Sequence, residues 1–337
     1  SKDLISKGHS VTILTLDKNS KYKVGSDKIK IINFNKYIGK NYKLSFSFFY
    51  WLFKKHKMYD HVIIHGLWQF PSLAARLLLS GKYYVFVHGQ LDPYFKLNWA
   101  KKIKKQIYWF LFEKRNLLNS RSILLTSNGE KKNLNNTFVN CDGIKKKIIN
   151  YGINKPSLNK NELKRLFYQK MPNLRYKNFY LFLGRFDEKK GCEILIESIF
   201  NLQNKFNDKL LLAGPGIGGR YQTFLKKLVN EYKLNNKILF SGPLYNDLKW
   251  GSILASKCML LSSHGENFGI SLVEALSVSV PVITTDKVNI SNEILDYKAG
   301  FISKNSVSSF SNNLLKFIQL DKKEKKNMSK QALKCFK

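Results

Sequence analysis

HGENFGISLVE, residues 264–274, follows the short apolar run MLLSS and sets two carboxylates eight residues apart around a glycine turn that opens a helix. A strand, a glycine turn and a helix in that order form the repeating unit of a parallel α/β sheet. Glu274, inside the helix, can accept hydrogen bonds from a pair of vicinal hydroxyls such as a ribose offers; Glu266 precedes the turn and is expected to point elsewhere. Between them, the N–H groups of Phe268, Gly269, Ile270 and Ser271 form the positive end of the helix, which attracts a phosphate. The plainer alternative is an amphipathic helix with Ile270, Val273 and Leu276 inward and Glu274 in water.

Upstream, FYLFLGRFDEKKG (179–191) reads as an apolar strand ending at Gly184, followed by Arg185 and then by Lys190-Gly191. Ligands of open parallel sheets collect at the carboxyl ends of strands, where two such cations can neutralise a diphosphate. LLLAGPG (210–216), which contains Gly214, and ILFSGPL (238–244), which ends in Gly242-Pro243-Leu244, follow it in the chain.

With SSHGENFGISLVEAL (262–276) and PVITT (281–285), these segments resemble the retaining glycosyltransferases of family 4, also called group 1. The N-terminal half resembles that family more loosely, through KGHSVTILT (7–15), DHVIIHGLW (60–68), YVFVHGQLDP (84–93) and LLTSNGE (124–130). The resemblance implies a GT-B fold: α/β, with two Rossmann-like parallel-sheet domains facing a central cleft. It further implies transfer of a sugar from a nucleotide diphosphate donor, UDP- or GDP-linked, to a hydroxyl acceptor with retention. The HGQLDP variety points towards surface polysaccharide or lipid-linked glycan synthesis.

The strand signals fall into two series. VTILT, HVIIHG, YYVFVHG, SILLTS and IINYG form the first, and YLFLG, LLLAG, ILFSG, MLLSS, PVITT and GFIS the second. A polar, Lys-rich stretch with Pro156 and Pro172 separates them, giving an acceptor-side domain over 1–154 and a nucleotide-sugar domain over 155–337. Since Lys2 to His9 reads as the end of a first helix, the first strand of the fold is expected to be missing and the chain to be truncated at its N-terminus. From Asp321 the sequence is helix-like and basic.

In the first domain His88 follows the strand YYVFV and precedes a glycine, and the resemblance makes it a catalytic residue beside the donor sugar. His65 holds the same position on the preceding strand. Asp92 is a weaker acceptor-side candidate, with a turn role before Pro93 as its alternative. In the second domain Arg185 and Lys190 would stabilise the leaving diphosphate. Glu266 would contact sugar hydroxyls, Glu274 the ribose, and Gly242-Pro243-Leu244 the base. No Asp-x-Asp occurs in the sequence, so the common carboxylate pair for a nucleotide-bound metal is lacking. No metal or other cofactor is expected, and the nucleotide sugar enters as a substrate. Two positions depart from the family pattern: Ser279 stands where a glycine is usual, and Asn150-Tyr151-Gly152 where Pro-Asn-Gly is.

A net charge of +35 raises the question of a nucleic-acid partner. Only seven of the 58 basic residues are Arg, lysines are spread along the chain, and no zinc-finger, RNP or helix-turn-helix pattern occurs, so nucleic acid is set aside. An anionic membrane surface fits better. KLNWAKKIKKQIYWFLFEKRNLL (96–118) carries Trp99, Ile103, Ile107, Phe110 and Leu111 near one helical face with lysines on the other, and LSFSFFYWLFKKHK (44–57) adds an aromatic cluster ending in cations. The favoured alternative packs both apolar faces on the domain's own sheet. Cys141, Cys192, Cys258 and Cys335 lack metal-ligand spacing, and Cys192 and Cys258 are expected to be buried thiols. The expected location is the cytoplasm, at the inner face of a membrane. A noncatalytic GT-B protein that binds a glycan or a partner, and a nucleotide-sugar 2-epimerase, are the competing functions.

Overall fold

The structure is a computed structural model that describes residues 2–17, 29–91, 99–134, 138, 141–149, 152–153, 156, 158–216 and 218–337. Asp92, Asn150, Tyr151 and the expected boundary at 154/155 lie outside them. Two compact units divide the chain: residues 1–125 with 133–148, and residues 126–132 with 149–337.

In the first unit β1 (Val11–Thr15) pairs in parallel with β2 (Ile29–Asn33), and a second parallel sheet has the order β3 (Val62–His65), β4 (Tyr83–Phe86), β5 (Ser122–Leu125), β6 (Lys146–Ile148). In the second unit β7 (Phe179–Leu183), β8 (Lys209–Ala213), β9 (Ile238–Gly242), β10 (Met259–Leu261), β11 (Val282–Thr285) and β12 (Gly300–Ser303) form one parallel sheet in the order β9-β8-β7-β10-β11-β12. This is the doubly wound order, in which the chain starts at the centre and reverses direction between β7 and β10. Helices cover the sheet, so β7, β10 and β11 are buried along their whole length. The fold is therefore α/β, built from two Rossmann-like units.

All six apolar runs of the second series are strands. In the first series IINYG contributes only its first residue to β6, a three-residue strand defined by pairing with β5 rather than by apolar content. Sequence reading also misses β2, IKIIN, where Lys30 interrupts the apolar run. Cys192 and Cys258 are buried as expected, and Cys141 is too. Asp321 and Glu324 form a capping box that starts the basic C-terminal helix Lys322–Phe336.

Two helices of the first unit depart from the expected packing. The helix Phe46–Lys55 starts at Ser45, whose Oγ accepts from the Phe48 N–H at 3.4 Å, and it buries only Phe48 and Leu52. Phe46, Tyr50 and Phe53 face outward. The helix from Trp99 runs through a π-helical turn at Trp109–Glu113 to Leu118, and it buries Trp109, Glu113, Asn116 and Leu117. Trp99 is 75% exposed and Phe110 71%, and Ile103, Ile107 and Leu111 are exposed with them. The face expected to pack on the sheet is thus solvent-facing, because the helix docks through the neighbouring face instead.

That docking encloses a carboxyl group. Glu113 has no exposed surface, and burial pushes its pKa up to about 7. The Trp68 N–H, which donates to Glu113 Oε2 at 3.3 Å, and nearby Ser72, Asn116 and Arg76 offset only part of this. A carboxyl whose folded pKa is raised keeps its proton in the native state after the unfolded chain has released it. Its stabilisation is therefore complete below the ordinary value of 4.5 and is lost as the pH rises through about 7. The loss is on the order of 3 kcal/mol. We predict that Glu113→Gln, which carries no charge to bury, raises the melting temperature at pH 8 and flattens its decline between pH 5 and pH 8. Superimposable pH profiles for the two proteins would refute this account.

Candidate functional site

At the reversal point of the second sheet, the loops leaving β7 to β10 enclose a cleft of about 350 Å³. Crossovers leave β7 and β10 towards opposite sides of the sheet, so a crevice opens between their carboxyl ends. Two glycines set its floor. A Cβ on Gly214 would lie 1.6 Å from the Gly184 carbonyl oxygen, so the turns after β7 and β8 pass too close for any side chain there. Gly269, at φ +67°, gives the left-handed turn that starts the helix Ile270–Ser277.

Lys190 closes a short 3₁₀ turn, Glu188–Lys190, that begins where Asp187 Oδ1 accepts from the Lys189 N–H at 3.1 Å. The turn is stitched to the end of β10. The His264 N–H donates to the Lys189 carbonyl at 2.9 Å, and Ser262 Oγ donates to the Gly191 carbonyl at 2.5 Å. Next to this seam, His264 Nε2 lies 2.7 Å from Glu193 Oε1, Asn305 Nδ2 lies 2.9 Å from His264 Nδ1, and the Tyr221 hydroxyl donates to the same glutamate. Since an amide nitrogen only donates, His264 Nδ1 accepts and Nε2 carries the hydrogen directed at Glu193. Glu266 is fixed from the other side: its N–H donates to the Lys287 carbonyl at 2.9 Å and its carbonyl accepts from the Asn289 N–H at 3.0 Å.

Most of the residues singled out in the sequence come together here. Gly184, Lys190, Gly214, Pro243, Leu244, Glu266, Gly269, Ile270, Ser271 and Glu274 all line the cleft. Glu266 does not point elsewhere, since the bridge it makes with Val288 brings it to the same wall as Glu274. Gly242 and Phe268 stand behind the lining. Gly242 turns the chain at φ +73° and accepts from the Gly214 N–H at 3.0 Å, while Phe268 is buried in the core. Arg185 follows Gly184 but is exposed and does not line the cleft.

Neither lysine of the cleft is a bare cation. Lys190 is paired with Glu266 and Lys249 with Glu274, all four side chains being largely enclosed. Two positive and two negative groups cancel, so the side chains lining the cleft carry no net charge. The remaining attraction for an anion comes from the N–H groups of the first turn at Gly269, Ile270 and Ser271. Lys249 escaped the sequence reading, although it stands in the first turn of the helix that follows Gly242-Pro243-Leu244. Helical spacing does not pair a lysine with a glutamate 25 residues away. Among the described residues no group of three or more His, Cys, Asp or Glu is placed to hold a metal ion.

His88 belongs to the first unit. It stands at φ +50° just beyond β4, with its Nε2 2.9 Å from Nδ1 of His65 at the end of β3. The Phe86 and His88 rings stack at 4.4 Å. Burial lowers the pKa of both imidazoles, and for His88 the proximity of His65 lowers it further.

The geometry agrees with comparisons to known proteins. Residues 167–334 match the family model of group 1 glycosyl transferases. An uncharacterized glycosyltransferase of Methanocaldococcus jannaschii is 33% identical over 123 residues, which make up 36% of this chain and 29% of that relative. Among solved structures, a glycosyltransferase from Rickettsia africae superposes with a TM-score of 0.78 at 20% identity, covering 99% of this chain and 87% of that one. Anabaena HepE in complex with UDP and glucose gives 0.72 at 12% identity, covering 97% and 94%. Residues 167–334, just under half of the chain, are thus similar to group 1 glycosyl transferases, within a chain of GT-B fold.

Proposed function

We propose that this chain moves a sugar from a UDP- or GDP-linked donor to a hydroxyl acceptor with retention at the anomeric carbon, and that it needs no metal or other cofactor. The observation that carries this reading is the convergence of Lys190, Glu266, Glu274 and the helix start Gly269–Ser271 on one cleft at the reversal point of the sheet. A nucleotide sugar spans such a row of groups. Glu274 would take the ribose hydroxyls, Pro243 and Leu244 the base, the helix N–H groups the diphosphate, and Glu266 the sugar hydroxyls.

Departure of the nucleotide places negative charge on the diphosphate while the sugar becomes oxocarbenium-like. Lys190 can shift from Glu266 towards that growing charge, while Arg185, exposed and outside the cleft lining, is assigned no part in it. Donors already fixed in place before charge develops lower the barrier without reorganisation. His88 is the catalytic residue assigned to the first unit on the strength of its HGQLDP context. That context favours surface polysaccharide or lipid-linked glycan assembly.

A membrane site of action is part of the proposal. No helix among the described residues is long and apolar enough to cross a bilayer, but the stripe Trp99, Ile103, Ile107, Phe110 is exposed beside lysines such as Lys104. Each large apolar side chain that enters a lipid interface contributes up to about 1.5–3 kcal/mol, and each cation near anionic lipid about 1 kcal/mol. The four free thiols fit a reducing compartment, so we place the protein in the cytoplasm at the inner membrane face.

Two outcomes are expected. With a UDP- or GDP-sugar, Lys190→Ala should lower sugar transfer or donor hydrolysis about ten- to a hundredfold, through loss of a charge-assisted hydrogen bond. Unaltered turnover in a folded variant would remove Lys190 from the chemistry, and activity abolished by chelator and restored by magnesium or manganese would end the metal-free mechanism. In flotation assays the protein should rise with anionic liposomes, while the triple variant Trp99→Ser, Ile103→Ser, Phe110→Ser stays at the bottom. Equal flotation of both would move the membrane contact elsewhere.

A further inference from the structure

We infer that Lys249 is a positioning residue that clamps Glu274 for recognition of the nucleoside diol, an assignment that rests on the nucleotide-sugar reading of the cleft. Glu274 occupies the second turn of a helix whose other residues there, Leu272, Val273, Ala275 and Leu276, are buried in the core. A charged carboxylate in such a position needs a counter-charge, or its burial costs several kcal/mol. Lys249 supplies it from the first turn of the helix Asn246–Ala255, with the chain entering from Pro243, Leu244 and Tyr245 of the same cleft wall. Its ammonium also lies 5.0 Å from the centre of the Trp250 ring, which limits where it can go.

The geometry leaves the carboxylate usable. Lys249 engages Oε1 alone, and Oε2 has no hydrogen-bond partner among the described residues. Each carboxylate oxygen has two acceptor sites, so a pair of neighbouring hydroxyls can donate to Oε2 and to the second site of Oε1 while the lysine stays bound. The ammonium therefore does not compete with a diol. It fixes the rotamer in which Glu274 lines the cleft and removes the entropy a free glutamate would lose on binding. A mere structural ion pair would leave the nucleotide's hydroxyl requirement unchanged; a clamp would not.

The test is calorimetric titration of the full chain and its variants with UDP, GDP, their 2′,3′-dideoxy counterparts and pyrophosphate. The wild type should bind one of the two ribonucleotides about tenfold or more tightly than its dideoxy form, and Lys249→Met should erase most of that ratio while leaving pyrophosphate affinity within about twofold. Lys249→Arg should restore part of the ratio, and Glu274→Gln should lose it with or without Lys249. A Lys249→Met protein that keeps the full ribose preference overturns the inference while the functional reading stands. So does one that loses pyrophosphate and dideoxynucleotide affinity by the same factor, since that marks a general charge effect. If the wild type binds neither ribonucleotide more tightly than pyrophosphate, the functional reading falls and this assignment falls with it. Should Lys249→Met fail to fold, Lys249→Gln, which keeps a donor but not the charge, gives the same comparison.

Discussion

Parallel strands need crossover connections, and the place where these connections change sides is the constraint on which the second unit depends. β7 lies at the centre, its successors run outward on one side to β9, and the chain then returns to lay β10 against β7. The gap this leaves at the carboxyl edge cannot be filled by either set of helices. Gly184 and Gly214 let the flanking turns come close enough to shape it, and the first turn of the helix at Ile270 lines it. The crevice is a consequence of topology before any side chain is chosen for chemistry.

Within that crevice, charge is balanced rather than accumulated. The proposed diphosphate site would be expected to display bare cations, yet Lys190 and Lys249 each hold a glutamate. Bare ammonium groups in a half-enclosed cleft would be destabilising in the empty protein. Pairing each with a carboxylate keeps the cleft electrostatically balanced, and in the proposed reading Lys190 loosens from Glu266 when a ligand supplies competing charge while Lys249 keeps its hold on Glu274.

Much of this was legible in the sequence where local rules suffice. Six apolar runs ending in Gly, Ser or Thr marked the six strands of the second sheet, and HGENFGISLVE marked its turn and helix. Residues at strand ends were bound to meet once those strands lay in parallel. What stayed hidden depends on pairing over distance. Lys249 faces Glu274 only because two helices lie side by side, and the direction of Glu266 is set by hydrogen bonds to residues 287–289. The facing of the helix from Trp99 was misread for a similar reason. Its apolar residues satisfy a helical stripe, but Trp109 and Leu117 on the adjoining face are the ones that dock.

The imidazoles at the ends of β3 and β4 carry a consequence of their own. With His65 Nδ1 and His88 Nε2 2.9 Å apart, one hydrogen occupies the space between them, and a second cannot enter without forcing the rings apart. Both imidazoles cannot be cationic while the contact lasts, so the couple titrates as one object that takes up a single positive charge and resists the next. Burial lowers the pKa of both rings, which favours the uncharged couple, and either ring can hold a proton once it arrives.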